Sequence, residues 1–151
     1  MAHVELSLSE AFAPSVAAPA EQESGSVGNW AVTVSRAAEP CLLIDAETRV
    51  VAVSPSGCRL LCLGRPEDVI GLPLLDGGLR LLDFTAYRGE LTEQDTDKIP
   101  PLLALHSGRL ARGLLRIQAA VGAPDATVDA ISTPVLDDGD VAGSLTFFCV
   151  L

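Results

Sequence analysis

The sequence predicts an α+β domain: a five-stranded antiparallel sheet with short helices packed on one face and an N-terminal flanking helix. Three observations carry this reading. The stretch Pro40–Pro73 reads as two short strands around an acidic turn, then a helix, then a helical turn closed by Gly71. The C-terminal part of the chain reads as three further strands separated by turn-forming residues. Between these blocks lies a Leu-rich region interrupted too often by Gly, Asp and Pro to be one long helix.

Taken in order, residues 1–28 form a flexible N-terminal segment rich in Ala, Ser, Glu and Pro, and 29–151 form the folded domain. Within the segment, Val4, Leu6 and Leu8 alternate with Glu5, Ser7 and Ser9, the period of a short strand or docking arm. Asn29 is placed to cap a helix over Trp30–Ala38, whose Trp30, Val34 and Ala37/Ala38 share one stripe. Pro40 ends it. Cys41–Ile44 is a continuous apolar run, as in a strand covered on both faces. Asp45–Thr48 turns the chain and Arg49–Val53 pairs back. Ser54 caps a helix through about Leu63, with Pro55 at its first position, where a missing N–H costs nothing. Arg65–Asp68 opens a further helical turn with acids at its positive end.

Leu72–Ala86 reads as short helical turns packing inward, and Gly89–Asp97 as an acidic solvated loop or helix start. Lys98–Ser107 reads as a helix with Pro100 and Pro101 in its first turn, Gly108 after its end, and Leu102, Leu103 and Leu105 facing the core. The closing strands are Leu110–Gln118, Thr127–Val135 and Val141–Leu151, with turns at Gly122–Asp125 and Asp137–Asp140.

Bulk composition excludes several function classes. The 151 residues suffice for one domain with its own core. A net charge of −10, from 10 Lys+Arg against 20 Asp+Glu, repels a phosphate backbone and an anionic membrane surface alike. No basic residue precedes Arg36, and Glu5, Glu10, Pro14 and Pro19 break the start, so no secretory signal is read. No window reaches the roughly 18 apolar residues of a membrane span. A soluble, cytoplasmic protein is expected.

Cys41, Cys58, Cys62 and Cys149 then read as reduced thiols. Cys58 and Cys62 are half of a metal-binding pattern, but His3 and His106 supply no complement, so no metal is expected. Nothing places Glu90, Glu93, Asp95 and Asp97 as a catalytic pair. One internal histidine, no Gly-x-Ser-x-Gly, and no phosphate loop after Gly77-Gly78 leave no basis for an enzyme. Arg112 and Arg116 share one strand face, with Arg109 nearby. They either pair with acids such as Asp129 or bind an anion or acidic partner.

The last strand is apolar on both faces. One carries Gly143, Leu145, Phe147 and Cys149; the other carries Ala142, Ser144, Thr146, Phe148 and Val150, so both hold large apolar residues. Placing Phe148 and Val150 outward, beside Leu110 and Leu114, leaves an apolar patch that something must cover. The candidates are the Trp30–Ala38 helix, through Trp30 and Val34, or a second chain. Covering several hundred Å² is worth about 25 cal/mol per Å².

The element order resembles the PAS domain family over about Trp30–Leu151. The residues that carry the resemblance are Ile44-Asp45-Ala46-Glu47-Thr48-Arg49-Val50-Val51 followed by Ser54-Pro55, and the run Leu61-Cys62-Leu63-Gly64-Arg65-Pro66-Glu67-Asp68-Val69-Ile70-Gly71-Leu72-Pro73. Ala142-Gly143-Ser144-Leu145 is similar to the family's last strand. Ser54 stands where the family commonly has Asn, and Leu72–Ser107 departs most from the pattern. Low Lys with high Ala, Leu, Arg and Asp suits a GC-rich, actinobacterial source.

The resemblance implies sensing or protein interaction, with haem, flavin, a metabolite or nothing in the pocket. Haem would need an axial ligand, and only His106 lies in the domain. The photosensory flavin motif Asn-Cys-Arg-Phe-Leu is absent; Gly57-Cys58-Arg59-Leu60-Leu61 is similar only by chance. Two readings stand. The favoured one is a stand-alone signalling module, with no output domain after Leu151, that dimerises or docks a separate regulator, including a transcriptional one, through Trp30, Val34, Leu110, Leu114, Phe148 and Val150, without a cofactor. The alternative is a sensor that binds an apolar small molecule among Leu74, Leu79, Leu82, Phe84, Leu102 and Leu103.

Overall fold

The computed structural model describes residues 19–76 and 78–151, with side chains from Gly25 onward. The alternating stretch Val4–Ser9 and the first part of the expected linker lie outside the described residues. The first element, α1, runs Pro19–Arg36 with a kink at Gly25, whose φ of 63° is the left-handed backbone that glycine tolerates. The helix therefore does not begin at Asn29. That residue sits within it, and the break falls at the glycine instead.

Two strands follow, β1 (Cys41–Asp45) and β2 (Val50–Val53). The turn between them is tied by the Asp45 side chain, which accepts the amides of Glu47 at 2.9 Å and Arg49 at 3.0 Å. Ser54 caps α2 (Pro55–Leu61) by accepting the Gly57 amide. This helix stops short of the expected Leu63 because Cys62 takes a left-handed conformation, φ 55°. Next come α3 (Pro66–Val69), β3 (Leu81–Leu82) and α4 (Glu93–Thr96), the last capped by Thr92. Then α5 (Pro100–Ser107) ends on Gly108, before β4 (Ala111–Ile117), β5 (Ala126–Asp137) and β6 (Asp140–Val150) complete the fold.

All strand pairings are antiparallel, and the sheet order is β2-β1-β6-β5-β4-β3. The sheet has six strands rather than five. The addition is Leu81–Leu82, which pairs with Ile117 and Arg116 and is too short to show a period in the sequence.

The sheet separates two apolar clusters. On its inner face, Leu42, Ile44, Leu115, Ile117, Val128 and Phe148 pack with Leu61, Val69, Leu74, Leu102 and Leu105 from the helices and connecting turns. On its outer face, Val34 of α1 packs with Cys41, Leu43, Ala52, Val135 and Leu145. Phe148 thus faces inward, 6% exposed, and not outward as expected from the sequence. It lies opposite Ala130 on the inner face, whereas Phe147 lies opposite Ile131. A strand apolar on both faces leaves its parity open, and one residue of parity reverses every side chain.

A similar reversal affects α5. Leu102 and Leu105 are buried, but Leu103 is 41% exposed. Successive helical residues are rotated by about 100°, so Leu103 cannot share the face of Leu102 and Leu105. The helix packs on β4 at Gly113, where a Cβ would stand 3.4 Å from Pro100 Cγ, an ordinary contact distance.

Candidate functional site

The site with the clearest shape is the outer face of the sheet. Helix α1 crosses only part of it, sealing Val34 against Cys41, Leu43 and Leu145. Beyond the helix, Phe147 is 45% exposed and Leu114 52%, and Ile131 and Trp30 are also exposed. The sheet register brings the strand residues together: Phe147 pairs with Ile131, Ile131 with Arg112, and Leu114 with Asp129. A groove of about 420 Å³ between α1 and the sheet is lined by Trp30, Val34, Ala37, Cys41, Leu145 and Phe147. The result is an apolar strip from α1 across β6 and β5, parted from Leu114 on β4 by the Arg112–Asp129 ion pair at 2.5 Å.

Of the residues expected at an interface, Trp30, Leu110, Leu114 and Val150 are exposed, while Val34 and Phe148 are buried. Val150 lies opposite Val128, whose side chain belongs to the inner face, and so does not extend the strip. Phe147 and Ile131 take the places assigned to Phe148 and Val150, while Leu145 lies buried beneath α1. The signal for Phe147 in the sequence is the odd-numbered face of the last strand, which lacks the Ser144 and Thr146 of the even-numbered one.

The residues expected to line an inner pocket divide differently. Leu74, Leu79 and Leu102 are packed into the inner cluster, Leu82 is buried, and Phe84 and Leu103 are exposed. Two surface-open cavities flank this region. One of about 150 Å³ is lined by Leu75, Leu79, Leu81 and Leu91. Another of about 290 Å³ is lined by Leu82, Phe84, Ile99, Pro100 and Leu115. The buried hydroxyls nearby bond within the protein. Ser132 Oγ and Thr146 Oγ1 stand 2.6 Å apart, and Ser144 Oγ donates to the Pro101 carbonyl at 2.8 Å. Among the described residues no buried side-chain N or O lacks a partner.

His106 is exposed at the C-terminal end of α5. Cys41 and Cys58 are buried, and burial pushes both thiols above their ordinary pKa; Cys62 and Cys149 are exposed. Among the described residues, no three His, Cys, Asp or Glu cluster to hold a metal. The arginine patch is largely paired. Arg112 holds Asp129, and Arg116 donates to the carbonyls of Asp83 and Thr85 at 3.2 and 3.1 Å. Arg88 grips Asp125 through two bonds, at 2.5 and 2.8 Å. The bonds from Arg88 and Arg112 hold the carboxyls of Asp125 and Asp129, respectively, below the usual range. No described helix is long and apolar enough to cross a membrane.

No family model matches the chain, and no curated protein matches it significantly. Solved structures do. The LOV protein of Rhodobacter sphaeroides is 19% identical with a TM-score of 0.58, covering 80% of this chain and 64% of its own. The VqmA dimer of Vibrio cholerae, a LuxR-type receptor solved without its target DNA, is 17% identical with a TM-score of 0.57, over 82% of this chain. The chain spans only half of VqmA. A PAS domain from Colwellia psychrerythraea is 14% identical with a TM-score of 0.56, covering 82% of this chain and 94% of its own. These likenesses, with the six-stranded sheet and its short helices, make the chain a PAS-like domain by fold.

Proposed function

We propose that this chain is a signal-transduction module of PAS type that pairs with a second copy of itself through the open half of its outer sheet face. It is not an enzyme and works in the cytoplasm. The observation that carries the reading is the exposed strip of Trp30, Phe147 and Ile131 beside α1, with Leu114 exposed across the Arg112–Asp129 pair. Exposed aromatic and aliphatic side chains gathered on one face are the usual anchors of an interface. The likeness to the VqmA dimer supports pairing, and the −10 charge supports a protein partner over nucleic acid. A separate regulator would then read the assembled pair. The packing of Leu74, Leu79 and Leu102 into the core supports this reading over the small-molecule one.

The test is light scattering after size exclusion, on the native chain and on Phe147→Asp and Leu114→Asp. The expected result is a dimer for the native chain and monomers with unchanged circular dichroism for both variants. A native monomer at all concentrations, or a dimer that survives both substitutions, overturns the reading.

A further inference from the structure

The sheet has an unfinished edge. β3 pairs only with Arg116 and Ile117, so among the described residues no strand stands opposite residues 111–115 on that side of β4. The Gln118 amide donates to the Arg80 carbonyl at 2.9 Å, so the even-numbered residues of β4 turn their backbone groups toward β3. By strand alternation, the N–H and C=O groups of Arg112 and Leu114 point out of the same edge. Such an edge is a template for one more strand. The 290 Å³ cavity touches the four consecutive residues Gly113, Leu114, Leu115 and Arg116. Successive side chains of a strand point to opposite faces, so a space that meets all four runs along the edge itself. Leu82 bounds it at the Arg116 end, and Ile99 and Pro100 line its inner side. Gly113 puts no side chain of its own into it.

Charge beside this groove selects its occupant. Asp95 lines it, and Glu93 and Asp97 flank Asp95 on and just after α4. Among the described residues none of these three carboxylates has an ion-pair partner. The bases in the lining are Lys98 and Arg116, and Arg116 is spent on the carbonyls of Asp83 and Thr85. A second copy would bring its own net charge of −10 to this acidic rim, whereas a basic segment neutralises it. We propose that an extended segment of a partner protein, apolar on one face and flanked by Lys or Arg, adds to β4 here as a further antiparallel strand. Its apolar side chains enter the groove opposite Gly113, and its cations meet Glu93, Asp95 and Asp97. This dock lies apart from the outer-face strip and does not depend on pairing there.

The probe is a fluorescein-labelled peptide, Lys-Val-Thr-Val-Thr-Val-Lys, titrated into the full chain and followed by anisotropy, with amide hydrogen exchange on the same samples. The expected result is saturable binding that slows exchange of the Arg112 and Leu114 amides about tenfold or more. With the valines in the groove, the threonine amides of an antiparallel strand face β4 and the valine amides face away. N-methylation of the threonines should therefore weaken binding about tenfold, and N-methylation of the valines should leave it nearly unchanged. Glu93→Lys with Asp97→Lys should weaken the basic probe about tenfold and favour Glu-Val-Thr-Val-Thr-Val-Glu instead. Phe147→Asp, on the other face of the sheet, should change nothing. The proposal is overturned by no saturable binding, by equal losses from the two methylated peptides, by a charge reversal without effect, or by binding that leaves both amides fast. Loss of binding in Phe147→Asp overturns it as well, because the peptide would then sit on the outer face. Amides already slow in the chain by itself overturn it too, because the edge would be filled without a partner.

Discussion

Ser54 accepts the backbone amide of Cys41 at 3.0 Å across 13 residues of chain. The same oxygen accepts the Gly57 amide at 3.0 Å and donates to the Glu39 carbonyl at 2.8 Å. One hydroxyl thus ties the start of β1 to the end of β2 and to the first turn of α2. Ser54→Ala removes a cap and strands two buried amide groups, each worth about 1 kcal/mol or more. Urea unfolding should show a loss of about 2–3 kcal/mol. A loss below about 0.5 kcal/mol would mean that water replaces the hydroxyl.

The two neighbouring leucines of α5 should separate cleanly. Leu102→Ala opens a cavity in the inner cluster and should cost about 2–4 kcal/mol, whereas Leu103→Ala should cost under about 1 kcal/mol. Thermal unfolding of the two variants measures the difference, and similar losses would contradict the orientation of this helix.

Acid should destabilise the domain through two carboxylates. Asp125 and Asp129 have pKa values lowered by Arg88 and Arg112, respectively. A depressed folded pKa contributes stability that is complete above the unfolded value, about 3.9, and is lost as pH falls through the folded value. The midpoint of unfolding should therefore drop below about pH 4, and Asp125→Asn with Asp129→Asn should flatten that drop. An identical acid profile in the double variant would show that other groups set it.

Gly143 should tolerate no side chain. It sits on β6 opposite Asp45, where a Cβ would collide with the Ile44 carbonyl oxygen. Gly143→Ala must push β1 from β6 and should cost about 3 kcal/mol, read as a lowered melting temperature. An unchanged melting temperature would mean that the two strands shift apart freely.

The elements that the sequence shows plainly are those whose ends carry chemical punctuation. Ser54-Pro55, Gly71, Gly108 and the Asp-rich hairpins mark boundaries that fall within a few residues of the observed ones. The strip on the outer face was legible in kind but not in residue. Neither face of Val141–Leu151 is polar, so local pattern cannot say whether Phe147 or Phe148 points outward. Pairing with β1 and β5, both distant in sequence, decides it. The two-residue strand Leu81–Leu82 is equally non-local: it exists because of its pairing with β4.

The seat of α1 has a consequence for synthesis. Its contacts Val135 and Leu145 belong to the last two strands, more than a hundred residues downstream. A ribosome releases α1 early, yet the wall it rests on is finished only when β6 has emerged and slid between β1 and β5. The helix made first is thus the one that docks late, and during that wait its Trp30 and Val34 side chains are open to chaperones.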